Sequence, residues 1–211
     1  MKQRIVCAFL LSIIVVSFVH GQTASELFIK SPEPALLTLS VSDRMDLIDL
    51  YKAGEAATVK NFFSDSCSIL RLTDDYLKFQ SGIITIEIFI LTLINDSKII
   101  GMIKTVCAPV CDSYIEFYTT SWRQLPASFF IKFADKLDFV KKDINRDDEK
   151  VKNSLIPLDI FFMQLNYDPE KQELQQVYTT PSYLSRTERE SVKPYLIETP
   201  KRFKWNLMRF E

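Results

Sequence analysis

The stretch that decides the fold is IITIEIFILTLI, residues 83–94. Its even-numbered positions form an unbroken row of isoleucines: Ile84, Ile86, Ile88 and Ile90. Its odd-numbered positions mix Thr85 and Glu87 with Phe89 and Leu91. Successive side chains of a β-strand point to opposite faces, so an apolar residue at every second position marks a buried face of a strand. The segment is therefore predicted to be a strand with Ile88 in the core.

Shorter segments with the same alternation surround this strand. They are residues 68–72 and 75–80 before it, and residues 98–107 and 113–121 after it. Turn-forming residues separate them, as in Asn95-Asp96-Ser97. Because strands on short connections pair in antiparallel order, the predicted sheet is an antiparallel meander.

Helical patterns flank the predicted sheet. Residues 42–54 carry apolar side chains at helical spacing, with Leu47 in the predicted core, and residues 55–63 are predicted to form a second short helix. The remaining predictions, in chain order, are a hairpin over 155–167 and 173–179, a helix beginning at the capping box Ser185–Glu188, and a strand over 202–210. The expected fold class is α+β, with helices packed on one face of the sheet. Residues 35–125 and 126–211 have similar predicted content, as two similar lobes of one domain would.

Residues 1–21, MKQRIVCAFLLSIIVVSFVHG, predict a signal peptide. Lys2 and Arg4 precede an apolar run of about 15 residues, and cleavage is expected before Gln22. A membrane anchor is the alternative, although a span needs roughly 20 apolar residues. The mature chain, residues 22–211, is then expected to be a single α+β domain without a membrane span, in the periplasm or outside the cell.

Charge and composition exclude several classes of function. The chain has 26 Lys and Arg against 27 Asp and Glu, and removing Lys2 and Arg4 with the leader leaves a net charge of about −3. No overall positive field exists to attract nucleic acid. The only histidine is His20, in the leader, so the mature chain has no imidazole for acid–base catalysis or zinc binding. Its three glycines are too dispersed for a phosphate-binding loop, and no cofactor is expected.

The mature chain keeps three cysteines, Cys67, Cys107 and Cys111. A zinc site would need further Cys or His ligands. Because Ala-Pro-Val separates Cys107 from Cys111 between two predicted strands, one interpretation is a disulfide that closes the turn. The alternative is a pair of reduced, partly buried thiols. Cys67 is expected to remain a buried thiol in either case.

A calcium site is also not expected. Residues 143–147, DINRD, resemble the opening of a calcium-binding loop, but the positions that require glycine and glutamate hold Asp148 and Ser154. The segment is predicted to be a solvated charged loop.

Three aromatic residues are the candidate binding face. Tyr114, Tyr118 and Trp122 are spaced by four along a predicted strand, so they share one face. Such a row could stack on a sugar or a peptide. The alternative is that the row lies beneath a helix as part of the core.

The chain also resembles a known family over about residues 42–125, and more loosely to its end. The residues that carry the resemblance are DRMDLIDLYKAGEAATVKNFF (43–63), LTDDYLKFQ (72–80), TIEIFIL (85–91) and KTVCAPVCDSYIEFYTTSW (104–122). They are similar to a family of uncharacterised exported proteins of Bacteroidales bacteria that carries a domain-of-unknown-function label. The resemblance implies a signal peptide, a periplasmic or secreted location and an α+β fold. It implies no reaction, cofactor or catalytic residue.

These observations favour a non-catalytic exported binding or assembly protein of the bacterial cell envelope, with an envelope protein or a glycan as its partner. A hydrolase or lyase that uses carboxylates instead of histidine is the first alternative. A small-molecule carrier is the second. A pocket with converging acids would favour the enzyme, a closed apolar cavity the carrier, and a shallow apolar surface the binding protein.

Overall fold

A computed structural model of the chain describes residues 22–32 and 39–211. The expected signal peptide lies outside the described residues. Among those that are described, no helix combines the length and the apolar character needed to cross a membrane.

A seven-stranded sheet forms the centre of the fold, and its strands lie side by side in chain order. Every neighbouring pair is antiparallel, which confirms the predicted meander. The strands are β1 (Thr58–Lys60), β2 (Ser66–Leu72), β3 (Tyr76–Ser81), β4 (Ile84–Thr92), β5 (Lys98–Cys107), β6 (Cys111–Thr119) and β7 (Gln124–Leu125).

The isoleucine row of β4 faces two helices. Helix α1 (Ala24–Lys30) is capped by Thr23, and α2 (Val41–Lys52) begins with a capping box between Ser40 and Asp43. Ile88 and Leu47 are both fully buried in the core between this face and the helices, as predicted.

One core position of α2 is polar. Arg44 is 1% exposed, and its guanidinium donates to the carbonyl oxygens of Phe28 and Ser31, near the end of α1. Met45, one of the apolar residues at helical spacing in α2, is 48% exposed. The helix is thus held by a buried cation as well as by apolar contacts.

A second, three-stranded sheet covers the opposite face of the first. Its strands are β8 (Met163–Asp168), β9 (Glu173–Tyr178) and β10 (Lys201–Lys204), in the order β10-β9-β8. The core between the sheets joins residues of both predicted halves, for example Phe89 and Tyr167, whose rings stack at 3.9 Å. Both faces of β4 are therefore buried, which explains why its odd positions also include Phe89 and Leu91.

The chain between and after these strands forms short helices around a third, smaller core. They are α3 (Glu149–Leu155), α4 (Thr180–Tyr183), α5 (Arg186–Val192) and 3-10 turns at Lys136–Phe139, Ile156–Asp159 and Lys193–Tyr195. A further 3-10 turn, Ala127–Phe129, packs against the core between the sheets. The predicted capping box at Ser185 and Glu188 is present at the start of α5. The α+β class and the packing of helices on one face of the sheet are confirmed, although of these two helices the sequence predicted only α2.

Three local predictions are wrong. The first strand of the hairpin, expected over 155–167, begins only at Met163, and Ile156–Asp159 form a 3-10 turn. Residues 55–63 were expected to be helical, but they contain β1 and a loop. Val59 is β-branched and pairs with Cys67 in the antiparallel strand beside it, and Asn61 begins a turn. Strand pairing therefore prevails over the helical spacing of the apolar residues. The last strand ends at Lys204 instead of continuing to 210, and Leu207, expected on its buried side, is 45% exposed in a turn.

Candidate functional site

The predicted aromatic face is only partly on the surface. Tyr114 is 51% exposed, but Tyr118 is 8% exposed and belongs to the helix-side core. The Trp122 ring packs 5.3 Å from the Tyr118 ring and is partly buried against the same core. The three residues share a face of β6 and its turn, as the spacing predicts, but they offer one exposed ring rather than a continuous row.

The polar neighbours of this row are engaged with one another. Lys104 is 7% exposed, and its ammonium lies 3.4 Å from a Glu116 carboxylate oxygen and 5.5 Å from the centre of the Tyr114 ring. Burial, followed by the nearby Glu116 carboxylate, raises the pKa of Tyr118 well above its usual value. A buried ammonium needs such partners to remain charged. The face therefore behaves mainly as an edge of the core, although the Trp122 ring nitrogen is buried without a hydrogen-bond partner.

The structure joins Cys107 to Cys111 by a disulfide at the turn between β5 and β6. The two cysteines are register partners at the end of the strand pair, and their Cα atoms are 3.8 Å apart. Thr179 fixes the start of β6 by donating its hydroxyl to the Cys111 carbonyl oxygen at 2.7 Å. Cys67 is a free, buried cysteine.

The same end of the sheet presents two phenylalanines to solvent. Phe62 is 77% exposed and Phe63 is 74% exposed, at the tip of the loop between β1 and β2. Single exposed apolar residues are common on protein surfaces, but two adjacent aromatic rings in open solvent form a patch that calls for an explanation.

Asn61 holds this loop in one conformation. Asn61 is 8% exposed, and its side-chain oxygen accepts the N–H groups of Phe63 and Asp65, each at 2.9 Å. Its amide nitrogen donates to the Ser81 hydroxyl at 3.1 Å, which ties the loop to the end of β3. Two backbone bonds close the turn, from Asn61 N–H to the Asp65 carbonyl and from Ser64 N–H to the Asn61 carbonyl. The two phenylalanines are thus carried by an ordered loop.

The turn between β3 and β4 lies against this loop. Gly82 has φ +56, a conformation that favours glycine, and a Cβ built on it would lie 3.2 Å from the Asp65 side chain. Its N–H donates to the Ser66 carbonyl at 3.1 Å. The next residue, Ile83, is 65% exposed.

The third turn at this end is the disulfide turn. Ile84 of β4 pairs with Val106 of β5, so the turn that follows Val106 lies beside the turn that precedes Ile84. Its residues Ala108 and Pro109 are exposed. We call Phe62, Phe63, Ile83 and the turn 107–111 the loop-end surface.

The buried carboxylate of the central sheet is fully engaged by its neighbours. Glu87, at 2% exposure, accepts the Tyr76 hydroxyl at 2.6 Å and the Lys78 ammonium at 3.2 Å, so both of its oxygens are occupied. Burial, and then the Glu87 charge, raises the pKa of Tyr76 far above its usual value. A tyrosine in this state is a hydrogen-bond donor and not a base.

Two open grooves lie near the third core. One, of about 260 Å³, includes Glu190 and Glu198 in its lining, but both glutamates are exposed to solvent. The other, also about 260 Å³, is mainly apolar and lies between α3 and the 3-10 turn at Lys136–Phe139. Within residues 22–32 and 39–211, no group of three or more His, Cys, Asp or Glu side chains is placed to hold a metal ion.

Sequence reasoning missed the loop-end surface because Val59, Phe62 and Phe63 have helical spacing. A different signal was present. Asn61, Ser64 and Asp65 surround the phenylalanine pair, and Asn, Ser and Asp are turn-forming residues because their side chains bond to nearby backbone. The side chains of two aromatic residues inside such a turn do not reach the core and remain exposed.

Comparison with known proteins identifies the family. A solved structure, described as a domain of an uncharacterized protein from Porphyromonas gingivalis W83, is similar with a TM-score of 0.80 and 25% sequence identity. The similarity covers 89% of this chain and 96% of that one. A search of curated proteins gives no match. Residues 16–210 match a family described as protein of unknown function (DUF3256), and the chain therefore belongs to the DUF3256 family.

Proposed function

We propose that the chain is an exported, non-catalytic binding protein of the bacterial cell envelope, and that it engages an envelope component through the loop-end surface. The leader sequence supports export, and the similar structure comes from a bacterium. The observation that carries the proposal is the rigid presentation of Phe62 and Phe63 at about three-quarters exposure.

Rigidity matters because ordering a loop on binding opposes affinity. The hydrogen bonds made by Asn61 hold the loop in this conformation in the free protein. Large apolar side chains on a preorganised backbone are the usual anchors of a binding surface. Tyr114, the exposed member of the aromatic row, is a secondary contact in this proposal.

Retention on isolated cell envelopes tests the proposal. The purified mature protein is mixed with envelopes from the producing bacterium, and the sedimented fraction is measured. We expect the double substitution F62S/F63S to lower retention about tenfold or more, because each lost aromatic anchor is worth at least a kilocalorie or so per mole.

The matched control is F129S/I94S. Phe129 and Ile94 are 69% and 71% exposed but lie outside the loop-end surface, so their loss should leave retention unchanged. Equal retention of all three proteins would refute a role for the loop-end surface.

A further inference from the structure

We infer that the loop-end surface inserts into the interface of a lipid bilayer, so that the protein is a peripheral membrane binder held by its loop tips. The inference rests on the proposed function and names the partner class for the same surface. A protein partner is the alternative, and the observations below favour lipid.

The shape of the surface is the first observation. The apolar residues stand on successive turns at one end of a sheet, and Phe62, Phe63 and Ile83 are 77%, 74% and 65% exposed. Side chains that protrude from separate turns do not form a groove for the side chains of a partner. A bilayer interface is deformable and apolar, and accepts protruding Phe and Ile side chains without a matching shape.

The second observation is that the turns bond much of their own backbone internally. In an apolar phase an unpaired N–H or C=O costs several kilocalories per mole, about as much as the gain from an inserted side chain. The N–H groups of residues 61, 63, 64 and 65 are bonded within the loop, to the backbone or side chain of Asn61 and Asp65.

The other two turns follow the same pattern. The Gly82 N–H donates to the Ser66 carbonyl, and the Gly82 carbonyl accepts the Gln80 amide at 3.0 Å. In the disulfide turn the Ala108 N–H donates to the Val110 carbonyl, and Pro109 has no N–H. Each of the three tips therefore combines an apolar exterior with a backbone that is partly bonded within its own turn, which lowers the cost of moving it into an apolar phase.

Charge indicates the kind of lipid. The charged residues in segments 60–66, 80–84 and 106–112 are Lys60, Asp65 and Asp112. One cation against two carboxylates gives no attraction to anionic headgroups. Insertion is therefore expected to be driven by apolar burial and to occur on zwitterionic lipid.

The test uses the mature protein with phosphatidylcholine vesicles and with vesicles of phosphatidylethanolamine and phosphatidylglycerol. We expect binding to both, with little change between about 0.1 M and about 1 M salt, where screening lengths fall from about 10 to 3 Å. F62S/F63S should lower the partition constant at least about tenfold, and F129S/I94S should not. All four residues are exposed, so each variant should keep its fold, which far-ultraviolet circular dichroism checks.

The depth to which the loop tip enters the bilayer is measured with a tryptophan placed at the tip. In F63W, lipids brominated in the acyl chain should quench the added fluorescence, whereas in F129W they should quench little. Three results would each overturn the inference. The wild type could fail to bind either vesicle, F62S/F63S could bind as well as the wild type, or binding could be lost at high salt. If envelope retention still depends on Phe62 and Phe63 in that case, the partner is a protein or a glycan and the proposed function stands. If retention does not depend on them either, both proposals fall.

Discussion

The two ends of the seven-stranded sheet differ in how they connect to the rest of the molecule. At one end, the turns at 73–75, 95–97 and 119–121 are polar, with the sequences TDD, NDS and TTS. This end is bonded to both termini of the fold, from Ala24 N–H to the Asp74 carbonyl and from Ile94 N–H to the Leu207 carbonyl. At the loop end, the turns at 61–65 and 81–83 bond to themselves and to each other rather than to a chain terminus, and their tips are apolar.

This difference separates two roles. The polar end closes the fold, because the first helix and the last segment of the chain both attach there. The loop end has ordered backbone but its largest side chains contribute no packing. Substitutions that remove buried contacts at the polar end should therefore reduce stability, whereas substitutions of exposed side chains such as Ile94 should not. Substitutions of the loop tips should change binding alone.

The largest expected effect is at Trp205, where the last segment meets the sheet. Trp205 is 5% exposed, and its ring nitrogen donates to the Thr92 carbonyl at 2.9 Å. Trp205→Ala should lower the free energy of unfolding by about 3–5 kcal/mol, since it removes a large buried ring. Urea unfolding measures this, with Trp205→Phe as a milder control. A loss below about 1 kcal/mol would mean that the last segment does not hold this end.

The disulfide should have the next largest effect. The double substitution C107S/C111S opens a short loop, whose chain-entropy contribution is about 2 kcal/mol. The domain should remain folded, because neither cysteine belongs to any of the three cores. Mass spectrometry of unreduced, unfolded and alkylated wild type should find one modified cysteine, Cys67. Three modified cysteines would contradict the pairing.

Asn61→Ala should have a smaller effect that is confined to the loop end. The substitution removes the acceptor of two N–H groups and should cost about 1.5 kcal/mol. Amide hydrogen exchange at Phe63 and Asp65 should become faster, whereas the exchange rates of amides in β4 should change much less. Unchanged exchange in the loop would show that Asn61 does not preorganise it.

The smallest effect is expected at the tips themselves. F62S/F63S should change the free energy of unfolding by less than about 0.5 kcal/mol, because both rings are already in solvent. Urea unfolding again measures this, beside F129S/I94S. A loss of more than about 2 kcal/mol would place the rings in the core and remove the contrast between the two ends.

The sequence predicted the parts of the fold that depend on local periodicity. The isoleucine row of β4 predicted the central strand, and the Ser185–Glu188 capping box predicted the start of α5. It could not predict that a second sheet covers the other face of β4. The charge of Glu87 made that face look solvated, and only the fold brings Tyr76 and Lys78 to its carboxylate.

The candidate site was less predictable than the fold. Spacing correctly placed Tyr114, Tyr118 and Trp122 on one face, but exposure depends on which strands the helices cover, and that is a tertiary property. At Phe62 and Phe63 the helical spacing outweighed the turn chemistry of Asn61. Their exposure follows from pairing between β1 and β2, which periodicity within one segment cannot reveal.

The buried cysteine gives the loop end a reporter of its own. Cys67 is 0% exposed, and its thiol donates to the Ser81 hydroxyl, the same oxygen that receives the Asn61 amide. Burial raises the pKa of this thiol, so it reacts with an alkylating reagent only when the hairpin of β1 and β2 opens. The labelling rate of the native protein, divided by that of the unfolded chain, is then the equilibrium constant for local opening. The rigidity on which binding depends can thus be followed over time, in the free and the bound protein, without adding a reactive residue by mutation.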